Sequence, residues 1–131
     1  MSAKTKYNAF CFTLINDKHD IPVYMAESVL NSYDQIKTFN LGSNLPVNDF
    51  IKLSEKISPD IIFISMVYVD NIKMLQKQVN ELCAKFAKMQ TKIFFKGYGT
   101  EHISANLNYK RISSFEVLNS FISDLVLSSP Q

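Results

Sequence analysis

Two short segments are apolar along nearly their whole length, and they constrain the fold of this chain more than any other feature. Residues 7–15 hold three aromatic side chains, and residues 60–67 read Asp-Ile-Ile-Phe-Ile-Ser-Met-Val. A strand with one solvated face alternates between polar and apolar residues, whereas a strand that is covered on both faces does not. Both segments are therefore predicted to be central strands of a sheet with helices on its two faces.

Three further strands are predicted, at residues 36–41, 92–96 and 109–112, and the first of these is expected to end at Gly42. Helical patterns lie between the strands, apart from a weakly patterned stretch at residues 100–107. Strands that alternate with helices form a parallel sheet with right-handed crossovers. The sequence therefore predicts an α/β fold, a flavodoxin-like, doubly wound parallel sheet of five strands in the order 2-1-3-4-5.

The helices are indicated by apolar residues at helical spacing and by residues that favour helix starts. The first has Pro22 in its first turn, where the missing N–H of proline costs nothing. The second is predicted to start at Asn44-Leu45-Pro46, and the fourth at Ser113 or Ser114. The third is predicted over residues 70–89. Its inward-facing residues are predicted to be Ile72, Leu75, Val79, Leu82 and Phe86.

Length and composition are those of one ordinary globular domain over residues 1–131, and the net charge of +2 does not by itself indicate nucleic-acid binding. No apolar run reaches the roughly 18 residues of a membrane helix. The polar start, residues 1–6, does not resemble a signal peptide. Cys11 and Cys83 lie in apolar surroundings, as buried thiols do in a reducing compartment. The chain is therefore expected to be cytoplasmic, with no membrane partner.

Polar residues and glycines follow three of the predicted strands. Asp17 and His19 follow the first strand, Ser65 ends the third, and the segment Gly97-Tyr98-Gly99 follows the fourth. In a sheet of this order, ligands bind at the carboxyl ends of strands 1 and 3, where the direction of winding reverses. These residues are therefore expected to share one crevice.

Three common ligand sites of such sheets are excluded by the residues present. A phosphoacceptor site needs an aspartate at the end of the third strand, where this chain has Ser65. A flavin phosphate loop needs glycine after the first strand, and residues 16–21 contain none. A dinucleotide fingerprint needs a third glycine at position 102, which is His102, and it would follow the wrong strand. A phosphate-binding glycine loop is therefore not expected.

The pair formed by Asp17 and His19 remains as the chemically informative motif. A carboxylate two residues from a histidine can accept the ring N–H, fix the tautomer and make the other ring nitrogen a better metal ligand. One histidine cannot build a zinc site from protein ligands alone. The pair is therefore suited to a metal that is already held in a cofactor.

Asp17-x-His19-x-x-Pro22, Ser65-x-Val67 and Gly97-Tyr98 together resemble the pattern of the cobalamin (vitamin B12) binding domain. That family has Asp-x-His-x-x-Gly, then Ser-x-Leu, then Gly-Gly, on the same strands. The resemblance covers nearly the whole chain. It is closest to the sensory domain of MerR-type transcription regulators, some of which respond to light. Pro22, Val67 and Tyr98 stand where the family has glycine, leucine and glycine.

The resemblance implies a role for each matched residue. His19 would be the lower axial ligand of the cobalt, and Asp17 would hydrogen-bond its other ring nitrogen. Ser65 would contact the dimethylbenzimidazole tail, and Gly97 would let that tail pass close to the backbone. Tyr98, in place of the second glycine, would put a large ring at the channel of the tail. Val67 and Gly99 complete the expected cofactor-binding set, and the cofactor would be adenosylcobalamin or methylcobalamin.

The resemblance also implies a function that is not enzymatic. The domain would be a sensor that forms a homo-oligomer, and DNA would be bound only through an amino-terminal domain that is not in these 131 residues. One alternative is a degenerate domain that has lost cobalamin and acts in oligomerisation or protein interaction, which Pro22 and Tyr98 favour. Another is a corrinoid-carrying subunit of a methyltransferase or mutase.

Overall fold

The computed structural model of the chain describes residues 6–104 and 108–127. Residues 1–5 of the polar start and residues 105–107 of the weakly patterned stretch lie outside this description. The strands are β1 (Tyr7–Leu14), β2 (Ile36–Leu45), β3 (Ile61–Ser65), β4 (Lys92–Lys96) and β5 (Lys110–Arg111). The helices are α1 (Ile21–Asn31), α2 (Val47–Ser54), α3 (Ile72–Lys85) and α4 (Phe115–Leu127), with a short 3-10 helix at Tyr98–His102.

The five strands form one sheet in the order β2-β1-β3-β4-β5, and every neighbouring pair is parallel. The predicted fold class and strand order are therefore confirmed. Because β1 and β3 are neighbours at the centre of the sheet, the loops after them meet at its carboxyl edge. None of the described helices is both long enough and apolar enough to cross a bilayer.

Two apolar cores explain why β1 and β3 read as continuous apolar runs. Phe10, Phe12 and Ile64 belong to a core that α2 and α3 cover. Cys11 and Phe63, one position away on the same strands, belong to a core that α1 and α4 cover. Alternate residues of a strand point to opposite faces, so both faces of these strands are buried.

The prediction that the second strand ends at Gly42 is wrong, because β2 continues to Leu45. The register of β2 against β1 shifts where Cys11 pairs with Asn40 and Phe12 pairs with Gly42. Gly42 adopts a φ of +80°, a conformation that glycine takes without steric cost. An irregularity in the pairing thus lets the strand pass through the glycine.

Other boundaries also differ from the prediction. β3 ends at Ser65, two residues before Val67, and α3 spans Ile72–Lys85 rather than residues 70–89. The side-chain oxygen of Asn71 accepts a hydrogen bond from Met74 N at 3.0 Å and caps α3. Ile72 in the first turn is 50% exposed, so its predicted inward position is wrong.

Candidate ligand site at the carboxyl edge of the sheet

The loop after β1 is held against the end of β2 by several hydrogen bonds. Asn16 adopts a φ of +74°, and its N–H donates to Asn44 Oδ1 at 2.7 Å. Asn44 N donates to Thr13 Oγ1 at 2.8 Å, and the Thr13 hydroxyl donates to the carbonyl of Asp17. Asparagine tolerates the left-handed conformation better than most residues, which is why the chain can turn here without glycine. The loop therefore presents Asp17 in a fixed position.

The carboxylate of Asp17 is buried and is fully engaged by hydrogen bonds. The residue is 4% exposed. Oδ2 accepts from Val67 N at 2.8 Å and from Tyr68 N at 3.2 Å. Oδ1 accepts from His19 N at 3.1 Å. A carboxylate can be buried when such donors compensate the loss of water. Asp17 thus joins the loop after β1 to the segment that follows β3.

The imidazole of His19 lies at the surface and is oriented by Asp17. Nδ1 lies 3.0 Å from Asp17 Oδ1, and the side chain of His19 is 55% exposed. A carboxylate accepts the proton of Nδ1, so the neutral ring carries its lone pair on Nε2. Nε2 makes no hydrogen bond with any described residue. The arrangement leaves one nitrogen available to an incoming metal.

The segment after β4 packs tightly against the segment after β3. Met66 N donates to Lys96 O, and Gly99 N donates to Met66 O, both at 2.7 Å. Gly97 has a φ of +121°, and a Cβ there would lie 2.5 Å from Met66 O. A Cβ at Gly99 would lie 2.8 Å from Val69 Cγ2. Both glycines are therefore required by the contact between these two segments.

The structure brings the predicted site residues together to different degrees. Asp17, His19 and Val67 are joined by direct hydrogen bonds. Ser65 is the last residue of β3, pairs with Thr13 of β1, and is 2% exposed. Tyr98 is 60% exposed, and its ring meets the ring of His102 edge-on at 5.0 Å. Tyr98 therefore remains more than half exposed while its ring contacts His102.

Sequence reasoning missed the residues that hold the site in place. These are Thr13, Asn44 and Met66, together with the amide of Tyr68. Thr13 carries a usable signal, since it is a hydroxyl residue that follows the apolar residues 9–12 of β1. The contributions of Met66 and Tyr68 come from their backbones, which any residue type could supply.

A cavity of about 490 Å³ opens beside this edge, between β4, β5 and α4. Gly97 and Tyr98 line it, with the cationic side chains of Lys96 and Arg111. Arg111 Nη2 lies 3.6 Å from Glu101 Oε2, and Lys96 Nζ lies 4.8 Å from the ring centre of Phe115. Small-molecule pockets range from about 300 to 1,000 Å³. The cavity is therefore large enough for a small molecule or for part of a larger one.

Exposed apolar side chains concentrate around the same edge. Ten large apolar residues of the described chain are exposed, and only Met89 and Leu127 lie away from the carboxyl edge. The other eight form what we term the apolar rim: Ile15, Ile21, Tyr24, Met25, Tyr68, Ile72, Met74 and Tyr98. They come from both faces of the sheet, since α1 and α3 cover different cores.

The two cysteine thiols, Cys11 and Cys83, lie in the two cores. Burial, with a smaller contribution from the negative charge of Glu27, raises the pKa of Cys11 to about 12. Burial raises the pKa of Cys83 to about 11. A thiol with a raised pKa is a poor nucleophile at neutral pH. In the described residues, no three His, Cys, Asp or Glu side chains group as a metal site would require.

Three solved structures have the same fold as this chain. A cobalamin-binding protein from Desulfitobacterium hafniense is 15% identical, with a TM-score of 0.72 over 90% of this chain and 58% of that one. A methanol:cobalamin methyltransferase complex from Methanosarcina barkeri is 13% identical, with a TM-score of 0.75 over 99% and 50%. The monomethylamine corrinoid protein of the same organism is 14% identical, with a TM-score of 0.69 over 91% and 57%.

The chain thus spans between half and three fifths of the length of these proteins. No protein-family model matches it, and no curated protein matches it in sequence. At these identities the likeness establishes the fold, which is the fold that the resemblance in sequence implied.

Proposed function

We propose that this chain binds a cobalamin-type corrinoid, adenosylcobalamin or methylcobalamin, with His19 Nε2 as the lower axial ligand of the cobalt. The observation that carries the proposal is the geometry of Asp17 and His19. The buried carboxylate holds Nδ1 at 3.0 Å, while the ring itself is half exposed at the edge of the sheet. The corrinoid would supply a cobalt ion with an axial position for an imidazole nitrogen.

The residues of the chain fit this role. Asp17 would set the tautomer of His19 and orient its ring, as the outer partner of a ligating histidine does. The amides of Val67 and Tyr68 fix the Asp17 carboxylate, so the ring would need no reorientation on binding. The apolar rim around His19 would cover the apolar parts of a broad, flat ligand.

The nucleotide tail of the corrinoid would lie against residues of the sequence motif and the cavity beside them. Gly97 and Tyr98 line the cavity of about 490 Å³, and Lys96 and Arg111 at its wall would face the phosphate of the tail. Ser65 and Gly99 are buried, so their contact with the tail would require neighbouring groups to move. Pro22 lies in the first turn of α1 with a helical backbone, a conformation that does not require glycine.

We further propose that the domain is a cytoplasmic sensor of a MerR-type transcription regulator and not an enzyme. The ligand, or light acting on it, would change the assembly of the protein because the two assembly states bind the ligand with different affinity. The apolar rim is a suitable surface for another copy of the chain or for a helical domain of the same regulator. DNA would then be bound by an amino-terminal domain outside these 131 residues.

Two alternatives are each favoured by an observation. Two of the solved structures with the same fold are a methanol:cobalamin methyltransferase complex and a monomethylamine corrinoid protein, which favours a corrinoid-carrying subunit. The tight packing of Gly97 against Met66 gives that glycine a structural role without any cofactor, which favours an oligomerisation module that has lost cobalamin. The three functions differ in whether the chain binds corrinoid and in whether a catalytic partner enzyme is associated with it.

The decisive experiment mixes the purified chain in the dark with hydroxocobalamin or adenosylcobalamin, removes free ligand and records the visible spectrum. We expect retained corrinoid that His19→Ala loses or shifts spectrally. His102→Ala is the matched control, because it removes the only other histidine of the chain and should leave the spectrum unchanged. A colourless protein would refute corrinoid binding by this chain and favour the interaction module.

A second measurement separates the sensor from the carrier. The oligomeric state of the corrinoid-loaded protein is measured by light scattering after chromatography, in the dark and after illumination. A change of assembly with light or with ligand supports the sensor. An unchanged monomer that transfers a methyl group to or from a partner enzyme would instead identify a corrinoid carrier.

A further inference from the structure

The two lateral edges of the sheet are built differently. At one edge, β5 consists of two residues, and both are cationic. At the other edge, β2 has ten residues, of which Lys37 is the only charged one, and none is proline. Proteins protect sheet edges by shortness, charge and proline, because the unpaired backbone groups of a long edge strand can pair with another strand. The edge at β5 is therefore protected by length and charge, whereas the edge at β2 has little protection.

The pairing with β1 determines which backbone groups of β2 face outward. Tyr7 N donates to Gln35 O at 2.8 Å, and Tyr7 lies beside Ile36. In a parallel ladder, residues that bond to the neighbouring strand alternate with residues whose N–H and C=O point away from it. The register is regular as far as Asn40, so the N–H and C=O of Thr38 and of Asn40 point away from β1. These backbone groups make no hydrogen bond with any described residue.

The side chains of this edge belong to both faces of the sheet. Asn40 lies on the α1 side, where its Nδ2 donates to Glu27 Oε1 at 3.0 Å. Phe39 and Leu41 lie on the other face, packed against the core that α2 and α3 cover, and both are partly exposed. The shifted register and the φ of +80° at Gly42 make the strand irregular there. A straight partner strand can therefore pair with residues 36–41 only.

We propose that two copies of this chain pair their β2 strands antiparallel about a two-fold axis at Phe39, so that two sheets of five strands become one continuous sheet. The N–H and C=O of Thr38 in one copy would bond to the C=O and N–H of Asn40 in the other copy. The two-fold axis repeats this pair, so every outward group of both residues is satisfied. Such self-complementarity is what a two-fold interface requires.

Neighbouring registers would leave backbone groups without a partner. In one of them Asn40 would face Ile36, whose N–H already donates to Tyr33 O at 3.1 Å. In the other, Thr38 would face Gly42, whose N–H already donates to Asn40 Oδ1 at 2.8 Å. The register centred on Phe39 is therefore the one that uses only free donors and acceptors.

The side chains also suit this register. The Phe39 rings of the two copies would lie opposite each other, on the face where each ring stacks on Phe10 at 4.9 Å. Aromatic pairs that face each other across antiparallel strands are stabilising, whereas like charges that face each other are not. Lys37 would lie opposite Leu41 of the second copy, so the lysines of the two copies would not oppose each other.

The interface would lie apart from the candidate ligand site. β2 forms a lateral edge of the sheet, whereas His19 lies at the carboxyl ends of the strands. The dimer would therefore leave the imidazole exposed. The inference deepens the proposed function, since it names a surface for the homo-oligomer of the sensor. Its test needs no corrinoid, so the failure of one proposal is distinguishable from the failure of the other.

The full chain without corrinoid is first tested for mass and for amide protection. Sedimentation equilibrium between about 1 μM and 1 mM, the range of weak association, should show the mean mass rise from one chain to two and stop there. Hydrogen exchange measured by NMR should slow at the amides of Thr38 and Asn40 as the dimer forms. It should not change at Phe39, whose N–H already faces β1. A chain that stays monomeric, or a dimer without this protection, would overturn the proposal.

A proline variant tests the hydrogen bonds. Thr38→Pro removes an outward N–H from each copy, a change that an edge strand tolerates. It should weaken dimerisation by about tenfold or more, the effect of two lost hydrogen bonds. Thr38→Ala is the matched control, because it removes the same side chain, keeps the N–H and should dimerise like the unchanged chain. Equal association of the two variants would contradict pairing through the β2 backbone.

Charges placed at Leu41 test the register even where the proline variant does not fold. Leu41→Glu would put a carboxylate opposite Lys37 of the second copy, and Leu41→Lys would put an ammonium group there. Both variants lose the same apolar side chain, so their folding costs are matched. The Glu variant should dimerise about tenfold more tightly than the Lys variant at low salt, and this difference should shrink in about 1 M salt. Lys37→Glu combined with Leu41→Lys should restore tight association. Equal affinities of the two single variants would refute the register.

Discussion

Oδ1 of Asp17 lies 3.0 Å from Nδ1 of His19, and the other oxygen of the same carboxylate receives the backbone N–H of Val67, fifty residues further along the chain. The orientation of the surface imidazole is thereby tied to the end of β3 at the centre of the sheet. A histidine held in this way keeps one tautomer and one direction before any ligand arrives. Two predictions follow from removing that link.

The first concerns ligand affinity. Asp17→Asn replaces one acceptor oxygen by a donor, so the carboxylate no longer fixes the tautomer of His19. Loss of such an outer partner typically costs about 10–100-fold in metal affinity. We expect Asp17→Asn to bind hydroxocobalamin that much more weakly in a spectrophotometric titration, with Asp20→Asn as the control of equal charge change. Equal affinity in the two variants would contradict the role given to Asp17.

The second concerns stability without any ligand. In Asp17→Asn, the side-chain NH2 group must face either the Val67 and Tyr68 N–H donors or the His19 donors, so at least one part-buried donor loses its acceptor. The free energy of unfolding is expected to fall by about 1–3 kcal/mol. Urea denaturation measures this loss. Asp20→Asn should change stability by less than about 0.5 kcal/mol, since its side chain makes no hydrogen bond with another described residue.

The third prediction compares two glycines with positive φ. At Gly97 a Cβ would lie 2.5 Å from Met66 O, whereas at Gly42 no atom beyond the adjacent residues lies within 4 Å of a Cβ. Gly42→Ala is expected to cost about 1–2 kcal/mol, from backbone strain alone. Gly97→Ala adds a backbone clash and should cost about 3 kcal/mol or more. Thermal unfolding followed by circular dichroism gives both values, and similar losses would show that Met66 moves aside freely.

Patterns within single segments made much of this fold predictable. Lys92–Lys96 forms β4 with the predicted bounds, and the continuous apolar runs did mark strands covered on both faces. The alternation of strands and helices predicted a doubly wound parallel sheet, and the flavodoxin-like order is one of the two common orders of such sheets. The proximity of Asp17 and His19 was also readable, because the two residues are close in sequence.

Contacts between distant segments were beyond the reach of the sequence. The extension of β2 past Gly42 depends on a shifted register against β1, which no property of residues 36–45 specifies. Ile72 fits the inward helical pattern, yet the cap at Asn71 starts α3 so that its first turn projects at the carboxyl edge. The backbone donors of Val67 and Tyr68 to Asp17 carry no side-chain signal at all.

The fourth prediction is a loss of stability at alkaline pH caused by Cys11. In the folded chain the pKa of this thiol is raised to about 12 from an ordinary value of 9.0. Between about pH 9 and pH 12 the unfolded chain therefore binds fewer protons than the folded chain, and stability falls as pH rises. The slope contributed by one fully titrating thiol is about 1.4 kcal/mol per pH unit.

Cys11→Ala tests this directly. Urea unfolding at several pH values above about pH 9 should give a shallower decline of stability for the variant than for the unchanged chain, whatever their stabilities at neutral pH. Cys83→Ala should act in the same direction over a narrower interval, because burial raises the pKa of that thiol only to about 11. Parallel pH profiles for all three proteins would contradict the assignment of the decline to buried thiols.

The last prediction concerns Gln78, whose buried and unpaired Oε1 makes the chain less stable than its core would allow. Gln78→Leu removes the polar group at nearly the same volume, between Leu75 and Leu82 on the buried face of α3. We expect the free energy of unfolding to rise by about 1–2 kcal/mol in urea denaturation. Gln90→Leu at the surface should change it by less than about 0.5 kcal/mol. If Gln78→Leu instead lowers stability, the amide of Gln78 must be paired in solution by water or protein.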